Sequence, residues 1–182
     1  GFGLWLLALA APALAQTPVH WSLKVSPAGP VKPGATLTAT ATAAIDAGWH
    51  VYSLTQGPGG PRALEITLPK SPVFAPGGTP TSGDPIRAFD PNFNMETEYY
   101  EDAVAITIPV TVLKTAGGGP AKLAIDVSFQ TCNERLCLPP ATERLVVNVE
   151  VLGPRGKVQG APEVQGAGSA GAGTEDRKST RL

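Results

Sequence analysis

Charge is scarce in this sequence and almost balanced. Lys and Arg number 14 against 15 Asp and Glu, and the formal net charge is -1. With no basic block anywhere, nucleic acid is not expected as the main partner. No Gly-rich phosphate loop, no Ser/His/Asp order and no zinc-ligand spacing occurs, so phosphate cradling, triad hydrolysis and a zinc centre lack sequence support. No segment carries a convincing amphipathic helix. Without helices there are no βαβ units, which argues against a thioredoxin fold. The chain also has little sulfur, with two cysteines and one methionine. Neither a metal nor an organic cofactor is expected.

What the chain has is turn formers and alternation. Its 21 glycines and 19 prolines break it into short runs in which Val, Thr and Ala alternate, the pattern of a β-rich domain. Trp21, Leu23 and Val25 share one face of a first strand over 20–25. Leu37, Ala39, Ala41, Ala43 and Ile45 face away from threonines in a second. Residues 49–54 and 64–68 read as a third and a fourth, and 70–90 as irregular, Gly/Pro-rich chain. Residues 89–95 read as a polar-aromatic loop, with Tyr99 to Asp102 leading into the next strand. In that strand Val104, Ile106, Ile108, Val110 and Val112 alternate with small or polar residues. Pro109 lacks a ladder donor and places this strand at an edge or beside a bulge. Gly117 to Pro120 form a tight connection. Two last strands, 123–129 and 145–151, flank the cysteines. The expectation is an all-β, antiparallel sandwich of about seven strands or more.

The ends differ from the middle. Residues 4–10 are an apolar run too short to span a bilayer, and Ala13-Leu14-Ala15 before Gln16 fits a small-x-small cleavage site. Residues 1–15 therefore read as a signal peptide that lacks its Met and basic start, residues 16–152 as the mature exported domain, and 153–182 as a flexible linker or tail. Residues 176–182 resemble a translated sequencing adapter, so a membrane domain is a candidate for the downstream part of the natural gene.

Cys132 and Cys137 stand at the tip of the hairpin made by the last two strands, in Gln130-Thr-Cys132-Asn-Glu-Arg-Leu-Cys137-Leu-Pro-Pro140. Closing so short a loop removes little unfolded-state entropy, about 2 kcal/mol. Three chemistries stay open: a structural disulfide, an exchanging disulfide and a soft-metal site. Exchange needs an accessible sulfur with thiolate character; Arg135 favours the thiolate and Glu134 opposes it. A hairpin tip is a poor place for a buried thiol and a good place for a partner to reach. Pro139 and Pro140 cannot donate ladder bonds, which is expected to keep the loop splayed from its neighbours. His50 with Met95 and a cysteine would suit copper, but a satisfied or exposed histidine is the plainer reading. Glu96, Glu98, Glu101 and Asp102 read as a solvated acidic face.

The segment from Val127 to Pro140, with its cysteine loop followed by Pro-Pro, resembles the family of N-terminal periplasmic domains of the thiol:disulfide interchange protein DsbD, also called the disulphide bond corrector protein DsbC domain. Gly48-Trp-His-Val-Tyr-Ser53 and the stretch from Phe93 through Tyr100 to Pro109 carry the likeness further, and it covers Val19 to Val151. The resemblance implies an immunoglobulin-like sandwich with an exchanging pair. In it Cys137 forms mixed disulfides, Cys132 resolves them, Phe93 caps the pair, Asp90 matches the acidic position of the cap, and Tyr52 an active-site tyrosine. It also implies periplasmic thioredoxin-like partners, among them a disulfide isomerase and a cytochrome c maturation thioredoxin, and a membrane or thioredoxin-like reductant. The chain departs from the family in a shorter cysteine loop and in a cap segment, Asp-Pro-Asn-Phe-Asn-Met, without paired acids before the aromatic. The competing class is an exported immunoglobulin-like binding module pinned by a purely structural disulfide.

Overall fold

The computed structural model describes residues 17–153. The expected signal segment, 1–15, and the tail beyond Gly153, with 176–182, lie outside the described residues. Among those described there are eleven strands and no helix: β1 (Val19–Ser26), β2 (Thr36–Ile45), β3 (His50–Tyr52), β4 (Glu65–Thr67), β5 (Phe74–Pro76), β6 (Ile86–Asp90), β7 (Met95–Tyr100), β8 (Ala103–Val112), β9 (Gly119–Phe129), β10 (Thr131–Cys132) and β11 (Ala141–Val151). They form three antiparallel sheets, ordered β1-β2-β8-β5, β11-β9-β4 and β10-β3-β7-β6. The architecture is the all-β, antiparallel sandwich expected.

Alternation along β2 organises the first sheet. Its central inward residues are small, and large ones sit beside them on both neighbours: Trp21, Ala43 and Val104 in one row, Leu23, Ala41 and Ile106 in the next, Val25, Ala39 and Ile108 in a third. The three alanines are fully buried. Such a low central column leaves room for the taller inner face of the second sheet. There Leu123, Ile125, Val127, Phe129, Leu145, Val149 and Val151 complete one core with the first sheet. The rings of Trp21 and Phe129 meet 5.6 Å apart across it. Val31 stitches the connection after β1 to the second sheet, donating its N–H to Glu150 and accepting from that of Leu152, both at 2.8 Å.

Several expectations are corrected. The stretch 70–90 is not irregular throughout, because β5 and β6 lie within it. They are too short, in chain broken up by Pro and Gly, to show a period. Tyr99 and Tyr100 end a separate strand, β7, instead of leading into β8. Asp102 takes φ 59° at the turn between the two. Gly119 and Pro120 belong to β9, opposite Val151 and Glu150. Pro109 lies neither on an edge strand nor at a bulge: β8 is interior, between β2 and β5. The Pro109 carbonyl accepts the N–H of Gly77 at 2.9 Å, so its nitrogen faces the same side. The paired residues of β5 have just ended there, and no ladder bond is forfeited.

The third sheet carries the site. Val51 and Tyr100 are cross-strand partners, and both join the core. Because side chains alternate along a strand, His50 and Tyr52 project from the opposite face, with their neighbours across the ladder.

Ile125 is fully buried at the centre of β9. Truncating it leaves a cavity between the two sheets, so Ile125→Ala is expected to lower unfolding stability by ~2–5 kcal/mol in urea denaturation. A loss below ~1 kcal/mol would contradict the central position given to β9.

Candidate functional site

Cys132 and Cys137 form a disulfide, with Cα atoms 4.0 Å apart. They lie between β9 and β11, whose pairing begins at Phe129 and Ala141, so the hairpin-tip placement holds. Two expectations do not. The loop is not splayed: Thr131 and Cys132 pair as β10 with Val51 and His50 of β3, and the Thr131 hydroxyl donates to the His50 carbonyl at 2.7 Å. Nor is the tip free of a buried thiol, since Cys132 has 0% of its surface accessible, while Cys137 is half-buried. Docking on β3 turns Cys132 under the loop and leaves Cys137 on the outer limb.

The loop holds its own shape. The Asn133 side-chain oxygen accepts the N–H groups of Arg135 and Leu136 at 2.8 and 2.9 Å, an Asx turn. The Leu138 N–H reaches back to the Thr131 carbonyl at 2.9 Å. Gln130 accepts the Arg62 N–H at 2.9 Å, which ties the loop base to the chain before β4. Arg135 and Glu134 are both exposed.

On the same face of the third sheet, Tyr52, Asp90 and Phe93 come together. The Tyr52 hydroxyl donates to Asp90 Oδ2 at 2.5 Å, and both side chains are buried. A hydrogen bond to a carboxylate is worth about 1.5–3 kcal/mol, enough to fix both groups. Burial, then the Asp90 bond, holds the Tyr52 phenol far above the ordinary tyrosine range, so its proton stays on. Asp90 Oδ1 accepts the N–H of Asn92 at 2.8 Å. That bond shapes the turn between β6 and β7, and Asn94 closes it at φ 53°, a left-handed position that Asn tolerates. The turn sets the Phe93 ring edge-on against Tyr52, centroids 5.9 Å apart. Its Asn92 side chain donates to the Asn133 carbonyl at 3.1 Å. The turn carrying Phe93 is thus bonded directly to the cysteine loop.

Sequence reasoning set His50 aside, yet it stands directly across from Cys132. Its Nε2 lies 3.2 Å from the Tyr52 hydroxyl and 3.9 Å from Asp90 Oδ2, and its ring lies 4.6 Å from that of Tyr99. Finding it from sequence requires the register of a two-residue strand, which no periodicity carries. His20 sits elsewhere, exposed, 3.6 Å from Asp46. The acidic cluster is only partly a solvated face, because Glu98 is largely covered: it bonds Arg87 at 2.7 Å and accepts the hydroxyls of Thr55 and Ser53. His50, Phe89, Asp90, Asn92, Tyr99 and Asn133 line a cleft of about 840 Å³ beside the disulfide. No group of three or more His, Cys, Asp or Glu side chains suited to a metal ion occurs among the described residues.

Burial holds His50 below its ordinary value of 6.5, against the opposing pull of Asp90 and Glu101. Below 6.5 the unfolded chain binds a proton at this site more readily than the folded one, so this contribution to stability is lost as pH falls from 6.5 through the lowered value. Urea denaturation between pH 5 and 8 is expected to show that slope in the wild type and a shallower one in His50→Gln. Parallel profiles would contradict the burial assigned to the ring.

The model of the family described as "Thiol:disulfide interchange protein DsbD, N-terminal" matches residues 22–148. Among solved structures, the chain is similar to the DsbD N-terminal domain of Neisseria meningitidis in the reduced form. There the identity is 15% and the TM-score 0.45, over 67% of this chain and 82% of that one. It is also similar to the N-terminal periplasmic domain of ScsB from Proteus mirabilis, with 17% identity and a TM-score of 0.43 over 78% of this chain and 49% of that one. No curated protein matches. Since the family model covers most of the sequence and the whole of the cysteine loop, the chain belongs to the family of the N-terminal domain of the thiol:disulfide interchange protein DsbD.

Proposed function

We propose that residues 16–152 form an exported domain that relays reducing equivalents by thiol–disulfide exchange through Cys132 and Cys137. The observation that carries this reading is the asymmetry of the pair. Exchange through a mixed disulfide asks for one sulfur that a partner reaches and a second that attacks from behind. Cys137 is half-buried on the outer limb of the loop, and Cys132 is wholly enclosed. Reduced Cys137 attacks the partner's disulfide, and Cys132 then attacks Cys137, releasing the partner as a dithiol. Family membership supports the same chemistry.

Tyr52, Asp90 and Phe93 serve as the surround of the pair. The Tyr52–Asp90 bond anchors the turn, and the turn holds Phe93 and Asn92 at the cysteine loop. Exposed Phe89, at 61%, and Leu136, at 47%, give a partner apolar purchase beside Cys137. The partners are thioredoxin-like proteins of the periplasm, a disulfide isomerase and a cytochrome c maturation thioredoxin among them. Electrons come from a membrane or thioredoxin-like reductant. Residues 1–15 act as the signal peptide and 153–182 as a linker or tail, and the compartment is the periplasm.

Trapping tests the relay. Cys132→Ala, reduced and mixed with a purified, oxidised thioredoxin-like disulfide isomerase, is expected to give a covalent complex on a non-reducing gel, cleaved by dithiothreitol. Cys137→Ala is expected to give at least ~10-fold less, because its remaining thiol is enclosed. Failure of Cys132→Ala to form a complex would favour an immunoglobulin-like binding module with a structural disulfide.

A further inference from the structure

We propose that His50 is the base that deprotonates Cys132 for the resolving step. This inference rests on the exchange reading above.

The need for a base follows from burial. Cys132 has no accessible surface, so water is not at hand to take its proton, and only the thiolate attacks a disulfide. The register supplies a candidate. Directly opposed residues on antiparallel strands hold their Cβ atoms about 4.5–5.5 Å apart on one face, and the residue opposite Cys132 is His50. Sγ of Cys132 is one bond from its Cβ, and Nδ1 of His50 two bonds from its own. With Nε2 engaged by the Tyr52 hydroxyl, the proximal ring nitrogen is the one left to serve the thiol.

The hydrogen bonds make that nitrogen the basic one. Tyr52 has a single hydroxyl proton and gives it to Asp90 at 2.5 Å. Toward His50 it has only a lone pair to offer, so at 3.2 Å Nε2 is the donor. A neutral imidazole with hydrogen on Nε2 has its lone pair on Nδ1. Burial keeps the ring neutral near pH 7, and Asp90, 3.9 Å from Nε2, steadies the cation once a proton arrives. The titratable groups packed around the ring are Tyr52 on β3, Asp90 on β6, Tyr99 on β7 with Glu101 just beyond it, and Cys132 on β10.

The step balances. Cys132 gives its proton to Nδ1, and its thiolate attacks Cys137 Sγ in the mixed disulfide. The Cys132–Cys137 bond forms as the bond to the partner breaks. The electron pair leaves on the partner's sulfur, which takes up the proton from the imidazolium. The domain's dithiol is oxidised by two electrons, and the partner's disulfide is reduced to its dithiol.

Glutathione disulfide is the probe, used with the reduced, full chain and acid-quenched samples read by mass spectrometry. Cys132→Ala measures capture on Cys137 alone. In the wild type the glutathione adduct is expected to be short-lived, and its resolution rate to rise with pH and level off once His50 is neutral. In His50→Gln the ratio of resolution to capture is expected to fall about 100-fold at pH 7, the lower end of what a positioned base contributes, and the rate to climb with hydroxide without that plateau. An unchanged ratio and profile overturn the role of His50 while leaving exchange intact. No adduct on Cys132→Ala sinks the exchange reading and this inference with it. If His50→Gln does not fold, Tyr52→Phe decides: loss of the tether is expected to lengthen the adduct's life, and an unaltered lifetime overturns the proposal.

Discussion

The site depends on one short piece of sheet, the pairing of Thr131 and Cys132 with Val51 and His50. Without it the segment between β9 and β11 is an eleven-residue excursion carrying two equivalent thiols. With it, Cys132 is pressed under the loop, Cys137 is left outside, and a histidine stands across the ladder from the buried cysteine. Two backbone partners and the Thr131 hydroxyl bond to the His50 carbonyl convert a symmetrical pair into one with an inside and an outside.

That pairing is held from both flanks. Behind it, Val51 and Tyr100 are part of the same core as the two larger sheets, so the floor of the site cannot shift without opening the sandwich. In front, the Asp90-shaped turn carries Phe93 and bonds Asn133 through Asn92. The Tyr52 hydroxyl joins the two sides, contacting Asp90 on β6 and His50 on β3. A rigid floor with a hydrogen-bonded turn beside it constrains the loop independently of the bond between the sulfurs.

The long strands were legible because one face of each is buried and the other is not. The alternation of β1, β2, β8, β9 and β11 reflects that difference directly, and so does the placing of the cysteines at the hairpin tip. β3 and β4 were read despite their three residues each, but other short strands were illegible for the same reason. β5 and β6 are brief runs in Gly/Pro-rich chain, and β10 has two residues. Their existence is set by what they pair with, not by their own pattern. From this came the chief misreading, a splayed loop, since its docking turns on a contact between residues some eighty positions apart. Pro109 was misread because a missing donor shows only which bond is absent, not whether a neighbour needed it. The resemblance supplied Tyr52, Asp90 and Phe93, which the structure gathers on one side of the loop; nothing in their spacing alone would have joined them.

The most direct test of the exchange chemistry is the reduction potential of the Cys132–Cys137 pair, measured by equilibration with defined thiol–disulfide buffers. A relay pair is expected between about -180 and -270 mV, within reach of thioredoxin-like partners. A value below about -300 mV, typical of structural bridges, would contradict the account and leave a sandwich whose disulfide serves only to pin its loop.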